Sequence, residues 1–163
     1  MNRRRLNEIV GDLKARGITL ASCESLTGGL FASTVASCPG VSACFKGAIC
    51  SYATSVKENL LKISPETISR YGVVSEEVAE EMARRGAELL DADLCVSFTG
   101  NAGPAAMEGK PVGLVYIGIC LRGRTETKKF CFEGERNAIR EQCVDAGLLF
   151  IEEILGKASG NDE

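Results

Sequence analysis

Residues 112–121, Val-Gly-Leu-Val-Tyr-Ile-Gly-Ile-Cys-Leu, are almost uninterrupted apolar side chains. A strand with one wet face alternates polar and apolar, so a continuous run marks a central strand covered on both faces. The turn Arg122-Gly123-Arg124 follows, and residues 125–132 then pair back on the strand as a hairpin. A hairpin forces an antiparallel strand, whereas layers on both faces call for helices on both sides. The expectation is a three-layer α/β/α sandwich with a mixed, mostly parallel sheet. It forms a single domain over residues 1–156, and 157–163 form a disordered polar tail.

The remaining segments fit that scheme. Leu6, Ile9, Val10 and Leu13 recur at helical spacing, and the helix should stop near Arg16-Gly17. Residues 18–23 read as a buried strand, 24–29 as a glycine-containing turn, 30–36 as a helix and 48–52 as a second strand. Residues 56–61 are short and helical. Ser64-Pro65-Glu66 and Ser75-Glu76-Glu77 each open a helix with a capping serine. The second places Val78, Met82, Ala83 and Leu89 on its apolar side. Residues 94–98 are a strand leading into the loop 99–104. The last helix starts near Glu135 and turns Ile139, Cys143, Ala146, Phe150 and Ile154 to the core.

The chain has 163 residues, a net charge of -3 and no histidine. The length suits one domain with a real core. The acidic balance argues against a nucleic-acid partner. Leu6-Asn7-Glu8-Ile9 breaks the apolar run that a signal peptide would need after Arg3-Arg4-Arg5, and no stretch is long enough to span a membrane. A cytoplasmic protein with no membrane contact is expected. Eight cysteines stand without any Cys-x-x-Cys pair, and several of them, such as Cys95 and Cys120, sit inside apolar strands and read as small buried hydrophobes, with no metal and no cofactor expected. The missing histidine removes the Ser-His-Asp triad and the Cys-His dyad, leaving lysine, carboxylate or tyrosine as the base of any hydrolase.

Three loops fall at the ends of buried strands, where open α/β sheets hold ligands. The first, 24–29, presents Ser25 in a tight turn, and the backbone N–H groups at the following helix start can receive an anion; a plain helix cap with a turn is the more ordinary reading. The second, 52–57, carries Tyr52 and Lys57. A lysine in the first helical turn opposes the dipole, and burial would push it toward the neutral amine, although a solvated lysine is the ordinary alternative. The third, 99–104, offers Thr99 and two glycines for close approach to a ligand, or a simple connection between strands.

Cys23-Glu24-Ser25-Leu26-Thr27-Gly28-Gly29-Leu30, Ser51-Tyr52-Ala53-Thr54-Ser55 before Lys57, residues 99–104, Lys110-Pro111-Val112-Gly113 and Gly134-Glu135-Arg136 together resemble the CinA C-terminal domain family, which includes nicotinamide-nucleotide amidases. The match runs in register over residues 6–155 and looks like the stand-alone form. The resemblance implies hydrolysis of nicotinamide mononucleotide to nicotinate mononucleotide and ammonia. It makes Ser25 the nucleophile and Lys57 its general base. Tyr52, Ser42 and Thr99 would assist proton transfer or hold substrate, with Thr27 and Gly100 beside them and Gly28 in the Ser25 turn. Either Arg136 or Arg140 would clamp the phosphate, because the planar guanidinium can bond two oxygens. A homodimer is the family-level expectation. Two positions depart from the pattern: Leu26 stands in place of a cysteine, and Asn101 in place of an apolar residue. The alternative is a nucleotide-binding or interaction domain of the same family that keeps the pocket without the activity.

Overall fold

A computed structural model describes residues 3–160. In chain order the elements are α1 (Arg3–Ala15), β1 (Leu20–Glu24), α2 (Leu30–Ala36), a 3-10 turn (Val41–Ala43), β2 (Phe45–Cys50), α3 (Thr54–Asn59), α4 (Pro65–Tyr71), α5 (Glu76–Leu90), β3 (Leu94–Gly100), β4 (Leu114–Leu121), β5 (Arg124–Cys131) and α6 (Arg136–Gly160). The sheet runs β2-β1-β3-β4-β5. β1 pairs parallel with β2 and β3, while β4 is antiparallel to both β3 and β5. Only β4 opposes the common direction, so the sheet is mixed and mostly parallel. The hairpin closes with Leu121 opposite Arg124.

The two faces of the sheet are packed differently. Leu20, Val96, Phe98, Ile117 and Ile119 belong to the core beneath α1, α2 and α6. Ala21, Cys23, Cys95 and Cys120 face the other way, toward Met82, Ala83 and Ala87 of α5. Period-two alternation thus sends large residues to one face and small ones to the other. Small residues let α5 settle close to the sheet: a Cβ on Gly118 would meet the Ala79 carbonyl at 2.6 Å, and one on Gly86 would meet Cys95 Sγ at 2.7 Å. Three of the cysteines are therefore small apolar spacers under α5. On the opposite face the Phe98 ring lies 5.2 Å from Phe31. It leaves no room for a side chain at Gly147, whose Cβ would meet it at 2.6 Å. Burying such a ring contributes about 2–3 kcal/mol.

Both capping serines act as expected. Ser64 accepts from the Glu66 N–H at 3.2 Å, and Ser75 from the Val78 N–H at 3.2 Å. Beyond shifts of one or two residues at strand ends, four boundaries or faces differ from expectation. β2 covers Phe45–Cys50 rather than 48–52, because parallel register with β1 sets Cys50 opposite Glu24 and frees residues 51–53 to turn. α3 accordingly begins at Thr54. Leu89 is 51% exposed; Leu90 packs on the core instead, as the chain leaves α5 through the left-handed Asp91. The expected disordered tail is helical through Gly160, with Lys157 bridging Glu126 at 2.9 Å and Glu153 at 3.1 Å. Residues 161–163 lie outside the described residues. No described helix is long and apolar enough to cross a membrane.

Candidate active site

The carboxyl ends of the parallel strands β1, β2 and β3 meet at one edge of the sheet, and the polar interior of the protein is concentrated there. Glu24, Thr27, Ser51, Lys57 and Thr99 are all buried. Lys57 lies on α3, which follows β2, and its side chain runs back beneath the Ser25 turn. Its Nζ donates to Ser25 Oγ at 2.9 Å, to the Ser51 carbonyl at 2.6 Å and to the Tyr52 carbonyl at 3.4 Å. The side chain is 1% exposed. Burial pulls its pKa from 10.5 down to about 8, with opposing electrostatic pulls from Cys23, Cys50 and Glu108. The Cys23 thiol is itself held up to about 12 by burial, so its pull acts only at high pH and at neutral pH the opposing charge is that of Glu108. α3 has only six residues, so desolvation rather than a helix dipole governs this lysine.

The Ser25 turn is built from both sides. Gly28 and Gly29 adopt φ values of 55° and 95°, which side chains rarely take. Glu24, fully buried, accepts from the N–H groups of Gly29 at 3.2 Å, Phe31 at 3.0 Å and Ala32 at 3.1 Å, and from Ser22 Oγ at 3.1 Å. This corrects the expectation that the start of α2 is open to a ligand anion: a carboxylate of the chain already fills it. From the other side the Arg140 fork donates to the carbonyls of Leu26 at 3.0 Å and Thr27 at 2.8 Å. Arg140 therefore braces the turn and is not free to clamp a phosphate. The buried Thr27 hydroxyl has no partner among the described residues.

Arg136 sits at the mouth. It donates to the Gly103 carbonyl at 2.7 Å and to the Tyr52 hydroxyl at 2.6 Å. Tyr52 is 56% exposed, so its ring belongs to the cavity wall while only its carbonyl touches Lys57. The cavity, about 290 Å³, is lined by Leu26, Tyr52, Arg136 and residues 100–107. That is close to the lower end of small-molecule sites. A second cavity of about 330 Å³ lies between α2 and α6, lined by Leu30, Thr34, Glu141, Val144 and Asp145; it holds no nucleophile–base pair.

One expected site residue lies elsewhere, and another has its hydroxyl already engaged. Ser42 is exposed on the 3-10 turn that precedes β2. β2 runs away from it toward the site, so it lies at the opposite end of the sheet, roughly 17 Å away at about 3.3 Å per residue. The Thr99 hydroxyl donates to the Val73 carbonyl at 2.6 Å. Gly100 is required by close packing, since a Cβ there would meet the Leu114 carbonyl at 2.8 Å. Asn101 turns inward, accepting from the Gly103 N–H at 3.0 Å, and so shapes the loop. Sequence reasoning did not single out Glu24, Glu108 or Lys110. Glu108 accepts from the N–H groups of Val73 and Val74, and Lys110 donates to the carbonyls of Tyr71 and Val74. The available signal for Glu24 was an acid at the end of an apolar strand, where burial demands internal donors.

These features define a class: a three-layer α/β protein that presents a half-buried serine bonded to a buried lysine at the carboxyl edge of its parallel strands. The chain belongs to the CinA C-terminal domain family, whose profile matches residues 3–155. A competence-damage inducible protein of Levilactobacillus brevis is 47% identical over 91% of this chain and 36% of its own length. One from Listeria innocua is 40% identical over 88% of this chain and 35% of its own. The chain thus spans about a third of the curated relatives it matches. A CinA superfamily structure from Klebsiella pneumoniae superposes with a TM-score of 0.93 at 29% identity, covering 96% of this chain and 99% of that one. A competence/damage inducible protein from Agrobacterium tumefaciens gives 0.89 at 29%, covering 94% of each.

Proposed function

We propose that the protein is a serine–lysine amidohydrolase that converts nicotinamide mononucleotide to nicotinate mononucleotide and ammonia. The observation that carries this reading is the 2.9 Å contact between buried Lys57 Nζ and Ser25 Oγ. Once Lys57 loses its proton, two N–H bonds remain for the Ser51 and Tyr52 carbonyls, and the lone pair is left facing Ser25. The amine then takes the Ser25 proton as Oγ attacks the carboxamide carbon. The Leu26 and Thr27 N–H groups, which meet no acceptor among the described residues, would receive the developing oxyanion. The protonated lysine returns its proton to the leaving ammonia, and water hydrolyses the acyl-serine by the same route. Arg136, exposed at the cavity mouth, supplies the cation for the phosphate by giving up its bond to the Tyr52 hydroxyl, whereas half-buried Arg140 has all three guanidinium nitrogens bonded within the chain.

The test measures ammonia released from nicotinamide mononucleotide by the wild type, Ser25→Ala and Lys57→Ala. The expected result is release by the wild type alone. Activity that survives in Ser25→Ala removes the nucleophile assignment; no release by the wild type favours the binding-domain alternative. The wild-type rate should rise through about pH 8 as Lys57 deprotonates. A flat profile contradicts a lysine base.

A further inference from the structure

We propose that Glu24 is a positioning residue for Ser25, acting as a built-in anion that locks the nucleophile turn to the start of α2. The inference rests on Ser25 being the nucleophile. Glu24 is the last residue of β1, adjacent to Ser25, and no part of it is exposed. Its two carboxylate oxygens meet only donors: Oε1 takes the N–H groups of Gly29 and Phe31, and Oε2 takes Ala32 N–H and Ser22 Oγ. Four donors onto one acid make an acceptor-only site suited to the ionised form. The bonds span the turn, joining the residue before Ser25 to residues four to seven positions after it. Rotation of the turn would break several bonds at once to a carboxylate that is itself fully buried, where each is costly to lose. Ser25 has only a half-buried, short side chain, and its own N–H is bound to the Phe98 carbonyl at 3.0 Å. The direction of its Oγ toward Lys57 is therefore set by the backbone that Glu24 holds.

The Glu24→Gln variant keeps the shape but places an amide N–H₂ against backbone donors, so one side of the lock fails. Glu24→Asp keeps the charge but falls short by one methylene. The informative readout is the rate at which a fluorophosphonate labels Ser25, because it needs no carboxamide substrate. It is measured on the whole 163-residue chain, shown to be folded by circular dichroism. With misplacement of about 1 Å costing about a hundredfold, labelling of Glu24→Gln should fall about a hundredfold and that of Glu24→Asp about tenfold. In the amidase assay kcat should fall in the same proportion with KM within about twofold, a split that lost stability alone would not produce. Folded variants labelled at the wild-type rate overturn the Glu24 proposal and leave the amidase reading standing. A wild type that resists labelling overturns the nucleophile reading, and this one with it. If neither variant folds, Glu24 is a folding determinant and the positioning role is rejected.

Discussion

The Ser25 turn and the loop of residues 102–112 confront each other across one cavity, yet they are held by different means. The turn is fixed from inside by Glu24 on its N–H groups and Arg140 on its carbonyls. The loop is held nearer the surface, by Glu108 and Lys110 reaching to residues 71–74, and it leaves Met107 44% exposed. Charge-assisted bonds shielded from water keep most of their strength, whereas side chains that can exchange partners with solvent hold less firmly. The comparison teaches a division of labour. On the proposed amidase reading, the turn would preset the reacting geometry and the loop would accommodate whatever enters.

Lys57→Met should have the largest effect, because it removes the base from the rigid side. Ammonia release should fall at least about a thousandfold. The same change should alter stability in a pH-dependent way. Lys57 titrates near 8 when folded and near 10.5 otherwise. Between these values the unfolded chain binds the extra proton, so wild-type stability relative to Lys57→Met rises across that window. Below about pH 8 both states hold the proton and the full cost of a buried ammonium applies, about 3 kcal/mol. Denaturant melts at pH 7 and pH 10 check this, and parallel pH curves for the two proteins would refute it.

Arg140→Met should come next, since it leaves the Leu26 and Thr27 carbonyls without their fork. The expected drop in kcat is about tenfold, with KM within about twofold. A rise in KM alone would make Arg140 a substrate clamp after all. Glu108→Gln should be the mildest: KM up about threefold and melting temperature nearly unchanged. Glu108 also pulls the Lys57 pKa upward, so its loss should move the alkaline inflection of the rate below about 8. If this variant loses as much kcat as Arg140→Met, the loop belongs to the rigid frame and the contrast drawn above fails.

Much of the frame was legible because it depends on neighbours in the chain. The apolar run around Ile117 announced a central strand, and the two serine caps announced α4 and α5. The absence of histidine narrowed the base, and resemblance to the family picked out Ser25 and Lys57. What escaped depended on residues far apart in sequence. Arg136 and Arg140 look alike four positions apart, yet one reaches Gly103 and Tyr52 while the other reaches Leu26, 114 positions away. Ser42 lies on the same connection that leads into β2, and only strand direction shows that it faces away from the site.

The sequence by itself therefore determined most element types and most of their faces, Leu89 and the residues after 156 excepted. These follow from side-chain volume and period, which are local properties. Only the tertiary structure decided what the polar residues are. Lys57 on an open surface is a solvated cation. Enclosed beneath the Ser25 turn, with two carbonyls fixing its remaining hydrogens, it approaches the neutral amine that the proposed serine–lysine chemistry requires, because desolvation acts on where a charge sits and not on which residue bears it.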